Sequence, residues 1–265
     1  MIVKSYTKLG GENMARVIIN GDDFGMNERC SKAIAQAIEK GLITDTTAMA
    51  NGEWFDEALT LARHYGFTDR IDVHLNLTEG KPLTEAICRY PDFVTDGVFN
   101  KGAMKLNREL TDDEYKAVYA ELNAQINRLK VADIPITHAD SHHYIHNSLY
   151  LLPVVAQVCK AHGIRKIRLQ RDLAPVSEAV KAEIGAYNHV LRLNGFVTTD
   201  HFGRPEDIHD RDIPDCTELL VHPDFDRNGE LIDRRGMSDG YPVGDSLPDI
   251  GKLNGVELIS YSVLK

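Results

Sequence analysis

Two aspartates stand side by side in INGDDFGMN, Asp22 and Asp23, and histidines gather further along the chain. His74 lies in DVHLNLTEG, His142, His143 and His146 crowd THADSHHYIH together with Asp140, and His222 ends the aliphatic run ELLVHPDF. Adjacent carboxylates repel each other unless a proton or a cation intervenes. Imidazole nitrogen beside carboxylate oxygen suits Zn, Ni, Co or Fe, and an Asp-His-His set leaves positions open for water and substrate. The functional reading is therefore one carboxylate on a metal and its neighbour acting on water. Each residue also has a plainer use. Aspartate caps helices, although Asn27 is better placed to cap the next one. A strand histidine such as His74 is often only hydrogen-bonded in a core, and His222 could be satisfied by backbone at a strand end. His142 and His146, four apart, form a rival metal pair, but no HExxH-type glutamate accompanies them. Arg168, in IRKIRL, could orient an acid, bind substrate or mark an exposed basic strand end.

Side chains so far apart in sequence meet only if the fold brings them to one place. Strand-like and helix-like stretches alternate, the signature of a parallel α/β architecture. Strands are expected at 16–20, 43–50, 70–78, 136–140, 164–169, 196–201, 217–222 and 256–260. Helices are expected at 28–40 and 53–65, from the capping box Thr111–Glu114 onward, and at 149–162 with Pro153 in the first turn. In the third strand Ile71, Val73, Leu75 and Leu77 share one face, leaving Asp72, His74 and Asn76 on the other. Eight strands separated by helices or irregular segments predict a (β/α) barrel of the TIM type, distorted or incomplete, with an open doubly wound sheet as the alternative. In a barrel the Asp and His residues above fall at the C-terminal strand ends, where active sites are built. Residues 79–110 are long for a connection and are expected to form a lid or substrate loop. Residues 1–13 read as a polar extension with Met14 as an alternative start, and 14–265 as one domain.

Composition narrows the field. The chain has 265 residues, with 40 acids against 30 Lys and Arg and a net charge of −10. Nucleic acid is a poor partner for such a balance, because phosphate binding needs clustered bases. No apolar run is long enough to span a membrane, and the N-terminus lacks the apolar core of a signal peptide. Four cysteines without CxxC spacing read as reduced thiols, so a cytoplasmic location is expected. There is no GxSxG elbow, no GxxxxGK[ST] loop and no GxGxxG after a strand.

Six segments in order, INGDDFGMN, GLITDTTAMANG, DVHLNLTEGKPLT, THADSHHYIH, ELLVHPDF and GVELISY, resemble the YdjC-like carbohydrate deacetylases, a family that includes chitooligosaccharide (chitin disaccharide) deacetylases. The resemblance implies a distorted barrel and one divalent metal ion, Mg2+ or Zn2+, held by Asp23, His74 and His142. By similarity to the wider polysaccharide deacetylases it also implies Asp22 as catalytic base and His222 as the partner acid. Asn76, Asp140, His143, His146 and Arg168 are then expected to contact substrate, and 79–110 and 171–195 to carry substrate choice. The expected substrate is a small acetylated amino-sugar oligosaccharide, cleaved to acetate and a free amine. Hydrolysis of another amide or a phosphoester, or sugar binding without turnover, are the alternatives. A homodimer is compatible with the sequence, which marks no interface.

Overall fold

The strand Ala15–Phe24 (β1) carries Val17, Ile18 and Ile19 with almost no exposure, and a strand buried on both faces belongs in the middle of a parallel sheet. The computed structural model describes residues 14–208, 213–251, 253 and 255–265, so the expected extension 1–13 lies outside the described residues. After β1 come Glu28–Glu39 (α1), Asp45–Ala48 (β2), Phe55–Tyr65 (α2) and Ile71–Leu75 (β3). Next are a small hairpin, Val94–Thr95 (β4) and Val98–Phe99 (β5), then Asp112–Val131 (α3), His138–Ser141 (β6), Leu152–Ala161 (α4) and Lys166–Ile167 (β7). Glu178–Leu193 (α5), His201–Gly203 (β8) and Thr217–Val221 (β9) follow. Pro223–Phe225 (β10), Leu231–Ser238 (β11), Tyr241–Ser246 (β12), Leu247–Ile250 (α6) and Val256–Leu258 (β13) complete the order.

The parallel strands run β7-β6-β3-β2-β1-β9-β8, with β13 beside the start of β1, where Ala15 faces Val256. This sheet curls, and a single parallel bridge between Lys166 and Val197 draws its two ends together. The result is the distorted, incomplete barrel expected. Seven of the eight predicted strands are present, several of them shorter, whereas the one expected at 196–201 is displaced to His201–Gly203 and leaves only the bridge at Val197. Alternation divides the strands as predicted: Ile71, Val73 and Leu75 join the apolar layer under the helices, while Asp72 and His74 turn inward. Local signals hold too. Asn27 caps α1 through Cys30 N, and Thr111 and Glu114 form the reciprocal capping box of α3.

Two parts go beyond the expectation. The segment 171–195 contains α5, capped by Ser177 and burying only Ile184, Tyr187, Asn188 and Leu191. Strands β10, β11 and β12 form an antiparallel sheet next to the barrel mouth. Among the described residues, no helix is long and apolar enough to cross a membrane.

Candidate metal and catalytic site

The site begins with a fault in β1. Successive strand residues normally point to opposite faces, yet the register with β2 shifts between Gly21 and Phe24, and Asp23 takes a left-handed φ of 75°. A bulge of this kind re-aims a side chain, and here Asp22 and Asp23 both meet partners inside the barrel. Such a backbone costs on the order of 1 kcal/mol for a residue other than glycine. Nearby, a Cβ on Gly52 would lie 2.1 Å from Gly25 O, so the turn after β2 packs this closely on the turn after β1 only with glycine at position 52.

Asp22 is held through both of its oxygens. Arg168 Nη1 donates to its Oδ2 at 2.7 Å, Arg168 Nη2 to its Oδ1 at 2.8 Å, and Asn20 Nδ2 to Oδ1 at 2.7 Å. Arg168 has no exposed surface, and it also meets Asp140 Oδ2 at 2.6 Å and Glu218 Oε1 at 2.7 Å. Tyr261 donates its hydroxyl to the other Glu218 oxygen, so a residue of the GVELISY segment closes the network. Burial raises the Asp22 carboxyl, but Arg168 and His74 outweigh it and hold it below its ordinary value. Burial wins at Glu218, which is pushed up to about 7.

Asp23 faces the other way. Its Oδ1 lies 2.9 Å from His142 Nδ1 and 3.3 Å from His74 Nε2, and its Oδ2 lies 3.2 Å from Arg234 Nη2. His74 Nδ1 is bound to Asp140 Oδ1 at 2.6 Å, across a register that pairs His74 with Asp140. A carboxylate on one ring nitrogen fixes the tautomer and turns the other nitrogen toward a metal. Thr47 hydroxyl braces Asp140 at 3.0 Å. His142 Nε2 lies 3.1 Å from Glu79 Oε2.

The electrostatics match a cation. Burial lowers His74, yet Asp140 and Asp22 prevail and lift it to about 10. His142 is likewise raised, burial being overcome by Asp23 and Glu79. Burial pushes Asp23 up, and the two imidazoles still hold it well below the carboxylate range. The pocket thus seeks positive charge while offering one carboxylate oxygen and two ring nitrogens within 4.8 Å of one another. That donor chemistry fits one divalent ion. Glu79 with His142 and His143, and Asp22 with His74 and Asp140, also lie close enough to share one. Arg168 already occupies the second of these sets.

His222 follows β9 and is half-buried at the mouth. Its backbone N–H donates to Asp233 Oδ1 at 2.8 Å. Burial outweighs the pull of Asp23 and Asp22 and lowers its imidazole to about 4. The five expected substrate contacts fare differently. Asn76, Asp140, His146 and Arg168 are as buried as Asp23 and His74, and each is hydrogen-bonded to partners within the protein. Asn76 spends its amide on Asn51 and on the backbone of Thr78 and Glu79, folding the loop after β3. Asp140 and Arg168 orient His74 and Asp22. His146 bonds Ser141, and burial drives its imidazole down to about 3. His143 alone is half-exposed beside the site, hydrogen-bonded to Thr78 at 2.9 Å. Sequence reasoning missed Glu79, Glu218, Arg234, Tyr261 and Thr47. Only the run Asp45-Thr46-Thr47, polar yet strand-forming between apolar residues, carried a signal for the last of these.

A family profile described as YdjC-like protein matches residues 16–243. The chain is also similar to proteins named carbohydrate deacetylase. One from Listeria monocytogenes serotype 4b (strain CLIP80459) is 33% identical over 215 residues, 79% of this chain and 82% of its own. One from Listeria welshimeri is 33% identical over 60% of this chain and 62% of its own, and one from Brevibacillus brevis 31% over 56% and 57%. The matched region is thus less than two thirds of the length of the last two. A solved structure from Enterococcus faecalis V583, described as proposed for cellobiose-phosphate cleavage, is 24% identical over 96% of this chain and 99% of its own, with a TM-score of 0.70. At that identity the likeness is one of fold.

Proposed function

Because the chain belongs to the YdjC-like family, we propose that it is a metal-dependent N-deacetylase of a small, chitobiose-like acetylated amino-sugar oligosaccharide, with one Mg2+ or Zn2+ on Asp23, His74 and His142. The observation that carries the reading is the Arg168-clamped carboxylate of Asp22 set directly beside a three-residue metal donor set. The name of the curated relatives supports the sugar substrate, and four free cysteines support a cytoplasmic location.

A divalent ion at such a site polarises an acyl oxygen and lowers the pKa of water toward about 7. The protein's own groups do the rest. Asp22, ionised and fixed, takes the proton of the attacking water at a carboxylate oxygen. The water oxygen bonds to the acetamido carbon, the C–N bond breaks, and the departing amine takes a proton from an imidazole nitrogen of His222. With its imidazole lowered to about 4, His222 begins the cycle neutral, so the proton it gives to the amine is the one Asp22 took from the water, passed on before the C–N bond breaks, which returns Asp22 to its carboxylate form. Asp140 and Arg168 move no proton; they hold His74 and Asp22 in place. The products are acetate and a free amino sugar.

The test combines metal content with acetate release from diacetylchitobiose and related sugars. His74→Ala and His142→Ala should lose bound metal. Asp22→Asn should retain it and lose about 10²–10⁴-fold in turnover. Full acetate release by Asp22→Asn would overturn the base assignment. A metal-loaded wild-type protein that releases acetate from none of these sugars, or that cleaves phosphoesters instead, overturns the reaction.

A further inference from the structure

The antiparallel sheet at the mouth sends one cation into the site. On β11 the neighbouring Arg234 and Arg235 point to opposite faces of the strand, and the register against β12 shifts between Arg234 and Gly236. Arg235 pairs with Glu206 at 2.6 Å and Asp233 at 2.7 Å. Arg234 instead reaches Asp23 Oδ2 at 3.2 Å, with its Nε 3.8 Å from the fully buried Asp224 carboxylate. Its backbone is fixed as well: Arg234 N donates to His222 O at 2.9 Å. Opposite it stands Gly244, where a Cβ would lie 1.8 Å from Asp233 O, so the two strands pass at a distance only glycine permits.

The two oxygens of Asp23 therefore have different duties. Oδ1 alone faces both imidazoles, and Oδ2 is turned to the guanidinium. A carboxylate free of such a partner can chelate a cation through both oxygens. We infer that Arg234 is a positioning residue that keeps Asp23 on the metal through one oxygen, leaving a place at the ion free for water or the acyl group. This rests on the ligand set proposed above. It has a consequence opposite to that of a merely structural ion pair. A fixed positive charge beside a cation site weakens the hold on the cation, so removing Arg234 should tighten metal binding while slowing turnover.

The experiment titrates Zn2+ into metal-stripped full-length wild type, Arg234→Met and Arg234→Lys by calorimetry. Thermal unfolding of each is recorded, and kcat and KM for acetate release are measured. Arg234→Met, which keeps the apolar stem, should bind Zn2+ about tenfold more tightly. Its kcat should fall about tenfold or more with a smaller change in KM, and Arg234→Lys should lie between it and wild type. A folded Met variant with unchanged or weaker Zn2+ affinity, or with undiminished kcat, overturns the inference. Should the Met variant not fold, the Lys variant decides: a shift in the same direction supports the role, and wild-type affinity and kcat overturn it. Wild type that binds no Zn2+ overturns the ligand set itself, and the role of Arg234 with it.

Discussion

Replacing Arg168 by methionine would leave the barrel interior with its acids and without their common partner. Arg168 has no exposed surface and holds Asp22 through two bonds, Asp140 through one and Glu218 through one. Removing one side of a buried ion pair costs about 3–5 kcal/mol, because the remaining charge stays buried without compensation. In a chain of this size each kcal/mol moves the midpoint of thermal unfolding by about 2–4 °C, so a drop of about 6–20 °C is expected near pH 8. The loss must depend on pH. In the wild type Asp22 is held below its ordinary value, chiefly by Arg168 against burial, so it contributes stability above its unfolded pKa that fades as pH falls. In the variant burial has lost its main opponent, and Asp22 and Glu218 are expected to keep their protons in the fold at pH values where the unfolded chain has released them. Stability of the variant then declines as pH rises from about 4 through 7. The gap between the proteins should be small at pH 5 and wide at pH 8. Urea unfolding of both metal-stripped proteins at the two pH values measures it. A gap under about 1 kcal/mol at pH 8, or one larger at pH 5, would refute the reasoning.

Two further outcomes are expected. His74, raised to about 10, holds a proton at neutral pH in the absence of a metal, and a ligand nitrogen must lose it. Zn2+ uptake at pH 7 should therefore release at least one proton, measured by calorimetry in buffers of different ionisation enthalpy; uptake with none released counts against His74 as a ligand. Burial pushes the Cys30 and Cys159 thiols up to about 12 and also raises Cys216, while Cys88 is exposed. One thiol should react promptly with a disulfide reagent at pH 8 and all four in urea, and a second fast thiol in the native protein would contradict this packing.

Much of the frame was legible because burial writes itself into periodicity. The alternation of Ile71, Val73 and Leu75 with Asp72 and His74 marked both a strand and the side that turns inward. Helix α5 was missed because its buried face is four residues wide on an otherwise exposed helix. Side-chain roles were harder. Arg168 is charged and near a strand end, which reads equally as a surface residue, a substrate contact or a clamp; only the inward curl of the sheet selects the clamp. Asn76 has the amide a sugar site would use, yet the loop after β3 consumes it. Arg234 and Arg235 are neighbours of one type that strand alternation sends to opposite faces, and which of the two faces Asp23 is set by the pairing of β11 with β10 and β12, which no local pattern records.

Strand β1, which carries Asp22 and Asp23, is flanked by β13 and β9, and Tyr261 completes the ring of contacts around Arg168. These partners lie at opposite ends of the sequence from β1. Joining them closes a very long loop, a step that slows folding far more than it alters final stability. The middle strands and their helices can form from nearer neighbours first. The geometry around Asp22 and Asp23 should therefore be the last part of the fold to form, and during refolding the recovery of helical signal should run well ahead of the recovery of Zn2+ binding.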